Sequence, residues 1–151
     1  MINIIINEKK TSVSIRYNAF YKLVILLGII KFCGRGNKAS LQIIHLLFWA
    51  LRDDKNYQVM HDLKLDIRNS LTPWSFEFGL EKVLSIGYIE EYIDKKIVSG
   101  TLEIVLTNKG LQILKSINEE ELFVEEIEKI KTIGWMPKSK IEKANNNWKL
   151  I

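Results

Sequence analysis

The sequence predicts an α+β protein that is mainly helical, and three observations lead to this fold class. Apolar residues recur at helical spacing through most of the 151 residues. Two β-branched segments, Tyr88–Ile93 and Thr101–Leu106, lie on either side of a turn-like Ser99-Gly100 pair and indicate one hairpin. The composition, 47% hydrophobic and 26% charged, is that of a globular chain and excludes a disordered or fibrous protein.

At the start of the chain, residues 2–6 and 12–17 are rich in β-branched side chains, so we expect a short hairpin or a docking strand there. A helix is predicted from about Asn18 to Phe32. It is apolar on nearly every side, which is typical of a helix that is buried on several sides. Two glycines in Cys33–Asn37 are expected to end this helix.

Two more helices are predicted between residues 40 and 69. Ser40 is a candidate N-cap for the first, Leu41–Arg52, which has a wide apolar face. The second, Tyr57–Asn69, follows a polar turn at residues 53–56 and repeats apolar residues at helical spacing.

A capping signal predicts the next helix. Thr72 is a capping residue and Pro73 follows it at the first helical position. We therefore expect a helix from Pro73 to Ser85 that turns Phe76 inward and ends at Gly87.

Two helices are expected after the hairpin. The first is capped by Thr107 and runs through Ile117. The second covers Glu119–Ile133, with acidic residues in its first turn and lysines in its last, which suits the helix dipole. No secondary structure is expected in residues 134–151.

The order of helix, helix, capped helix and two-stranded hairpin over residues 39–107 resembles the winged helix-turn-helix family. The segments Leu84–Ile89 and Leu106–Gly110 resemble the entry into the wing and its exit in that family. With the elements predicted on either side, it divides the chain into N-terminal strands and a helix at 1–38, a winged-helix core at 39–117, a C-terminal helix at 118–133 and a tail at 134–151. Together these parts are expected to form one compact domain.

The net charge of +4 is unevenly distributed along the chain. Residues 1–52 hold 8 basic and 1 acidic side chains, residues 53–133 hold 10 and 16, and residues 134–151 hold 4 and 1. The basic ends indicate an anionic partner such as nucleic acid. The acidic middle contains the helix that would read bases in a DNA-binding winged helix.

That third helix, Pro73–Ser85, favours a protein partner over the major groove. Glu77 and Glu81 would be repelled by phosphates, and the exposed face would include Trp74 or Phe78. Exposed aromatic side chains without compensating charge are typical of protein–protein interfaces.

Contact with the DNA backbone stays open, because phosphate binding needs only positive charge. The alternative is that the lysines simply keep the surface hydrated. The candidate backbone contacts are Lys95 and Lys96 at the predicted hairpin tip, with Lys9, Lys10, Arg35 and Lys38 in the basic N-terminal third. The candidate partner-binding residues are Trp74, Phe78, Trp135 and Trp148. The tail that carries the last two is expected to dock on a partner or on the protein's own body.

Catalysis, metal binding and cofactor binding are not expected. One cysteine and two histidines cannot form a thiolate–imidazole zinc site, and no nucleophile, base and orienting group come together. The glycines before Lys38 do not have the spacing of a phosphate-binding loop. His45 is expected to be a satisfied, half-buried side chain. A single cysteine, with no signal sequence or spanning apolar segment, indicates a cytoplasmic protein.

The segment Lys38–Arg52, with its Trp-Ala-Leu-Arg end, resembles the small middle components of bacterial ABC three-component systems. These systems are related in organisation to Lamassu-type defence operons. The resemblance implies a non-catalytic winged-helix subunit that works with an SMC-like ATPase and a separate effector, often a nuclease, in antiviral or anti-plasmid defence. A free-standing transcriptional regulator is the main alternative, and a toxin-neutralising partner is a third. The homo-oligomeric state stays open.

Overall fold

The computed structural model describes residues 18–148. The predicted strands at residues 2–6 and 12–17 therefore lie outside the described residues. Seven helices and three strands occur in the described part of the chain, and their order is α1 (Ala19–Cys33), β1 (Lys38–Ser40), α2 (Leu41–Ala50), α3 (Asp54–Lys64), α4 (Leu80–Ile89), β2 (Ile93–Val98), β3 (Thr101–Leu106), α5 (Asn108–Glu119), α6 (Val124–Ile133) and α7 (Lys138–Asn146). The expected class, α+β and mainly helical, is confirmed.

The three strands form one antiparallel sheet in the order β1-β3-β2. Ala39 of β1 pairs with Ile104 of β3, and Ile93 of β2 pairs with Leu106 of β3. These four side chains are buried, so one face of the sheet closes the hydrophobic core.

Helix α1 is the centre of the structure. Asn18 caps it by accepting hydrogen bonds from the backbone N–H groups of Phe20 and Tyr21. Its residues 22–30 are all buried, and it contacts α2, α4, α5, α6 and the sheet. The prediction that this helix is buried on several sides is confirmed. Lys22 is the one charged side chain buried in it.

Local capping signals gave the helix starts correctly where no long-range contact competed with them. Ser40 accepts a hydrogen bond from the N–H of Ile43 and caps α2. Thr107 accepts one from the N–H of Gly110 and caps α5. The bounds predicted for α3, Tyr57–Asn69, are wrong: Asp53, expected in a polar turn, caps it through the N–H of Asn56, and the helix ends at Lys64.

The predicted helix Pro73–Ser85 is wrong. Residues 71–77 form neither helix nor strand, and α4 begins at Leu80 after Gly79, whose φ of 77° suits glycine. The helix continues past Gly87 to Ile89, so the strand predicted at Tyr88–Ile93 is also wrong over most of its length. Long-range ion pairs of Glu77, described below, hold this residue in the segment before α4.

The C-terminal part of the chain is more structured than expected. The predicted helix Glu119–Ile133 begins later, at Val124, because α5 occupies Glu119 and a turn follows it. Helix α7 forms in residues 134–151, where no helix was expected. Its residues Ile141 and Ala144 are buried, and the N–H of Leu71 donates to the carbonyl of Ala144 at 3.0 Å. This part of the tail therefore docks on the protein's own body.

Within residues 18–148, no helix is long and apolar enough to cross a membrane.

We expect Gly110→Ala to lower the free energy of unfolding by about 1–3 kcal/mol, the usual effect of overpacking. A Cβ atom on Gly110 would lie 2.2 Å from the carbonyl oxygen of Tyr92, which is backbone and has little freedom to move away. Urea unfolding measures the effect. Gln112→Ala, an exposed change on the same helix, is the control, and an equal effect of both changes would show that the close approach to Tyr92 is unimportant.

Candidate partner-binding surface

Residues 74–78, which we call the aromatic segment, alternate between aromatic and polar side chains. Trp74, Phe76 and Phe78 occupy one set of positions, while Ser75 and Glu77 occupy the other. Phe76 is 68% exposed and Phe78 is 86% exposed, whereas only 12% of the Glu77 side chain is exposed. The segment therefore turns its carboxylate toward the protein and its phenylalanines toward solvent, and the expectation that Phe76 points inward is wrong.

The Glu77 carboxylate is held by two cations. Lys22 Nζ lies 2.9 Å from Glu77 Oε2, and 8% of the lysine side chain is exposed. Arg52 approaches Glu77 Oε1 at 3.3 Å. Lys22 Nζ also donates to the carbonyl of Phe78 at 3.0 Å, so the buried ammonium binds both the carboxylate and the backbone of the segment. A buried charge needs such partners, because an unpaired ion in the interior is strongly destabilising.

Arg52 and His45 hold the rest of the aromatic segment. Arg52 donates to the hydroxyl of Ser75 at 2.9 Å. The backbone N–H of Glu77 donates to Nδ1 of His45 at 2.9 Å, and the imidazole stacks on the Phe76 ring with 4.3 Å between centroids. Burial lowers the pKa of His45 below its usual value, while Glu77 and Glu81 oppose that change. His45 is thus a satisfied, half-buried side chain, as predicted.

A cavity of about 310 Å³ opens beside the aromatic segment. Its lining combines apolar walls with the cations that bind Glu77, and the residues are Tyr21, Lys22, Ile25, Phe48, Leu51, Arg52, Ser75, Phe76, Glu77 and Phe78. The surface therefore offers two protruding phenyl rings next to a recess that could accept a side chain from another molecule.

Three of the four predicted partner-binding residues lie on or next to this segment. Trp74 is half-buried and donates through Nε1 to Asn145 at 2.9 Å. Trp148, which is 56% exposed, donates to the same oxygen at 3.2 Å. Phe78 is the most exposed large apolar side chain in the described part of the chain. Trp135 contacts Arg35 instead.

The predicted DNA-backbone residues do not form one continuous patch. Lys95 and Lys96 are exposed in the middle of β2 and not at the hairpin tip, which Ser99 and Gly100 form, so their predicted place at the tip is wrong. Successive side chains of a strand also point to opposite faces. Lys96 is paired in the ladder with Glu103, which reduces the positive potential there. Lys9 and Lys10 lie outside the described residues.

Arg35 and Lys38 flank a tight turn between α1 and β1. The N–H of Arg35 donates to the carbonyl of Lys38 at 2.9 Å, and Gly36 and Asn37 between them both have positive φ. The Arg35 guanidinium lies 4.8 Å from the centre of the Trp135 ring. One predicted DNA residue and one predicted partner residue are therefore neighbours in space.

The expectation that Glu77 and Glu81 of the predicted third helix would be repelled by phosphates also changes. Glu77 lies outside α4 and is paired with Lys22 and Arg52, so it would not repel a phosphate. Of the charged residues within α4, Glu81 and Lys82 are both exposed, and they balance each other.

Residues 18–148 contain no group of three or more His, Cys, Asp or Glu residues placed to hold a metal ion. Cys33 is buried, and this burial raises the pKa of its thiol to about 12. A thiol in that state is a poor nucleophile, because the thiolate is the reactive form.

Comparisons of the chain with protein-family models, with curated proteins and with solved structures found no match.

We expect Lys22→Met and Glu77→Gln each to lower the free energy of unfolding by about 3 kcal/mol, since each leaves a buried charge without its main partner. The double variant should lose clearly less than the sum of the two, because its two uncharged side chains need no ionic partner. Urea unfolding of the four proteins measures the coupling. Strict additivity of the two losses would contradict a direct ion pair.

We expect the protein to lose stability when the pH falls from about 7 to about 5, partly through His45. Its pKa in the folded state is below the unfolded value of 6.5, so the unfolded chain takes up a proton first. The contribution of neutral His45 to the stability of the protein is therefore complete at a pH above the pKa of the unfolded state. It is lost as the pH falls through that pKa toward the lower pKa of the folded state. Protonation at Nδ1 also removes the acceptor for the Glu77 N–H.

His45→Asn is the control for this pH effect, because its amide oxygen can accept the same hydrogen bond and does not titrate. The variant should lose less stability over this pH range than the unaltered protein in urea unfolding. Identical losses in the two proteins would show that His45 does not contribute.

Proposed function

We propose that this protein is a non-catalytic winged-helix subunit that binds a partner protein through the aromatic segment. The observation that carries the proposal is the exposure of Phe76 and Phe78 on a segment fixed by the buried Lys22–Glu77 pair. Aromatic side chains that are ordered before binding lose little conformational entropy in a complex, so they are efficient anchors.

The order of elements supports the winged-helix part of the proposal. A first helix, a short strand, a second helix and a later helix that leads into a hairpin occur as α1, β1, α2, α4 and β2–β3. The short strand β1 adds to the hairpin at β3, as expected for a winged helix. This assignment differs from the predicted one, because α1 takes the place of the first helix although the core was predicted to begin at residue 39. The third helix is α4, and α3 with residues 65–79 is an insertion before it.

Charge near the aromatic segment suggests the chemistry of the partner. Glu81 is exposed at the start of α4 and is close enough to His45 to affect its pKa. Lys82 beside it is exposed as well. A complementary surface would combine an apolar recess for the phenylalanine rings with charges opposite to those of Glu81 and Lys82 at its rim.

The partner that fits the resemblance of Lys38–Arg52 is an SMC-like ABC ATPase. In that role the chain would connect the ATPase to an effector of the nuclease type in bacterial antiviral or anti-plasmid defence. Its basic residues, among them Lys95 and Lys96, would add contacts to the DNA backbone.

Purification of the tagged protein from its native cells, with the genes encoded beside it intact, tests this function. We expect a large ABC-type ATPase to co-purify in a fixed ratio. Phe76→Ser with Phe78→Ser should remove most of the bound ATPase, because the change deletes both exposed rings without touching the ion pairs.

Ile97→Ser is the matched control, since Ile97 is 66% exposed but lies on the hairpin. It should leave the complex intact. Equal loss of the ATPase in both variants, or recovery of the chain without any ATPase, would contradict the proposal.

The second candidate function is a free-standing DNA-binding regulator. The balance of Glu81 and Lys82 on α4, followed by exposed Lys95 and Lys96 on β2, favours this alternative. A regulator would be recovered as a homodimer that protects a palindromic duplex, and substitutions on the exposed face of α4, such as Lys82→Ala, would abolish that protection.

A further inference from the structure

We propose that a second site, the cleft beside the turn that joins α1 to β1, binds a nucleoside phosphate. The cleft has a volume of about 410 Å³, within the range of small-molecule sites. It lies between the turn and β1 on one side and the residues that lead into α7 on the other, and the ends of β2 and β3 complete it. It shares no residue with the cavity beside the aromatic segment, so this inference is independent of the proposed function.

Positive charge converges on the cleft from three parts of the chain. Arg35 comes from the turn, Lys38 from β1 and Lys138 from the start of α7. Within residues 18–148, none of these three side chains forms an ion pair. Glu103 is the one carboxylate among the described residues that line the cleft, and its ladder partner Lys96 offsets it. An anion with several acceptor oxygens would satisfy these cations, as phosphate does.

An aromatic ring adds a second kind of recognition to the cleft. Trp135 lines it and is 40% exposed. The Trp135 backbone is held in place, because its carbonyl accepts a hydrogen bond from Lys64 Nζ. Arg35 lies over its ring, so a planar stacking surface and a phosphate-binding group are side by side.

This combination favours a nucleobase joined to a phosphate over either chemistry alone. A base can stack on the indole while the guanidinium moves to the phosphate, and stacking of this kind tolerates any base. The same unit occurs in a free nucleotide and in a single strand of DNA or RNA. An acidic peptide would satisfy the cations but would leave the ring without a planar partner.

The test compares four probes by calorimetry at low salt with the full chain: thymidine monophosphate, a short oligothymidylate, inorganic phosphate and a glutamate-rich peptide. We expect both thymidine probes to bind more tightly than phosphate or the peptide. Equal affinity for the two thymidine probes would indicate a free nucleotide as the ligand. Tighter binding of the oligomer would indicate a single strand.

Substitutions at two positions, Trp135 and Arg35, separate stacking from charge. Trp135→Leu should weaken binding roughly fivefold or more, while Trp135→Phe should keep most of it, since a ring remains for stacking. Arg35→Gln should weaken binding about tenfold, as expected for loss of a charge-assisted contact. Lys143→Gln removes an exposed charge on α7 that does not line the cleft, and it should bind like the unaltered protein.

Three results would overturn the inference. The first is that neither thymidine probe binds. The second is that inorganic phosphate or the peptide binds at least as tightly as the thymidine probes. The third is that Lys143→Gln and Arg35→Gln weaken binding equally. Urea unfolding of each variant shows whether a lost signal reflects the cleft or a loss of folding, and Trp135→Phe keeps the test decisive where Trp135→Leu is unstable.

Discussion

The ion pair between Lys22 and Glu77 is the constraint on which the interaction surface depends. Lys22 lies in the central helix, where every neighbour from residue 23 to residue 30 is buried. A cation in that position needs an anion from elsewhere in the chain, and Glu77 is the residue that reaches it. This pair turns Glu77 inward, and its neighbours Phe76 and Phe78 are exposed. The charge in the core thus positions the segment that presents these two rings.

The two candidate sites differ in chemistry, which gives the molecule two separate means of interaction. The aromatic segment presents phenylalanine rings beside the exposed Glu81 and Lys82 and suits a protein with an apolar recess. The cleft of Arg35, Lys38 and Trp135 presents cations beside a ring and suits a nucleoside phosphate. The proposed subunit, which would connect an ATPase to an effector on DNA, would use both kinds of surface.

Sequence reasoning succeeded where signals were local and failed where a long-range contact decided the outcome. The caps at Ser40 and Thr107 and the burial of α1 follow from residues close together in the chain. The Thr72-Pro73 signal is equally local, but the partner of Glu77 lies far away in α1. The alternation of aromatic and polar residues from Trp74 to Phe78 does indicate an extended segment. From that pattern alone the aromatic residues would be expected to face the core, because the buried lysine that binds Glu77 is not visible in it.

Two other features could not be predicted from local patterns. Helix α7 buries only Ile141 and Ala144, which is too sparse a pattern for periodicity to reveal. The cleft brings together Arg35 and Trp135, which are far apart in the sequence.

Amide hydrogen exchange at Glu77, measured by NMR, tests the central claim most directly. Its backbone N–H donates to His45 in a segment that has no helix or strand to protect it. If the Lys22–Glu77 pair fixes the segment, this amide exchanges at least about tenfold more slowly than the same amide in an unfolded peptide of the same sequence. The Lys22→Met change should then increase the exchange rate of the Glu77 amide more than the rates of amides in the middle of α5. Exchange at the peptide rate in the unaltered protein would contradict the account.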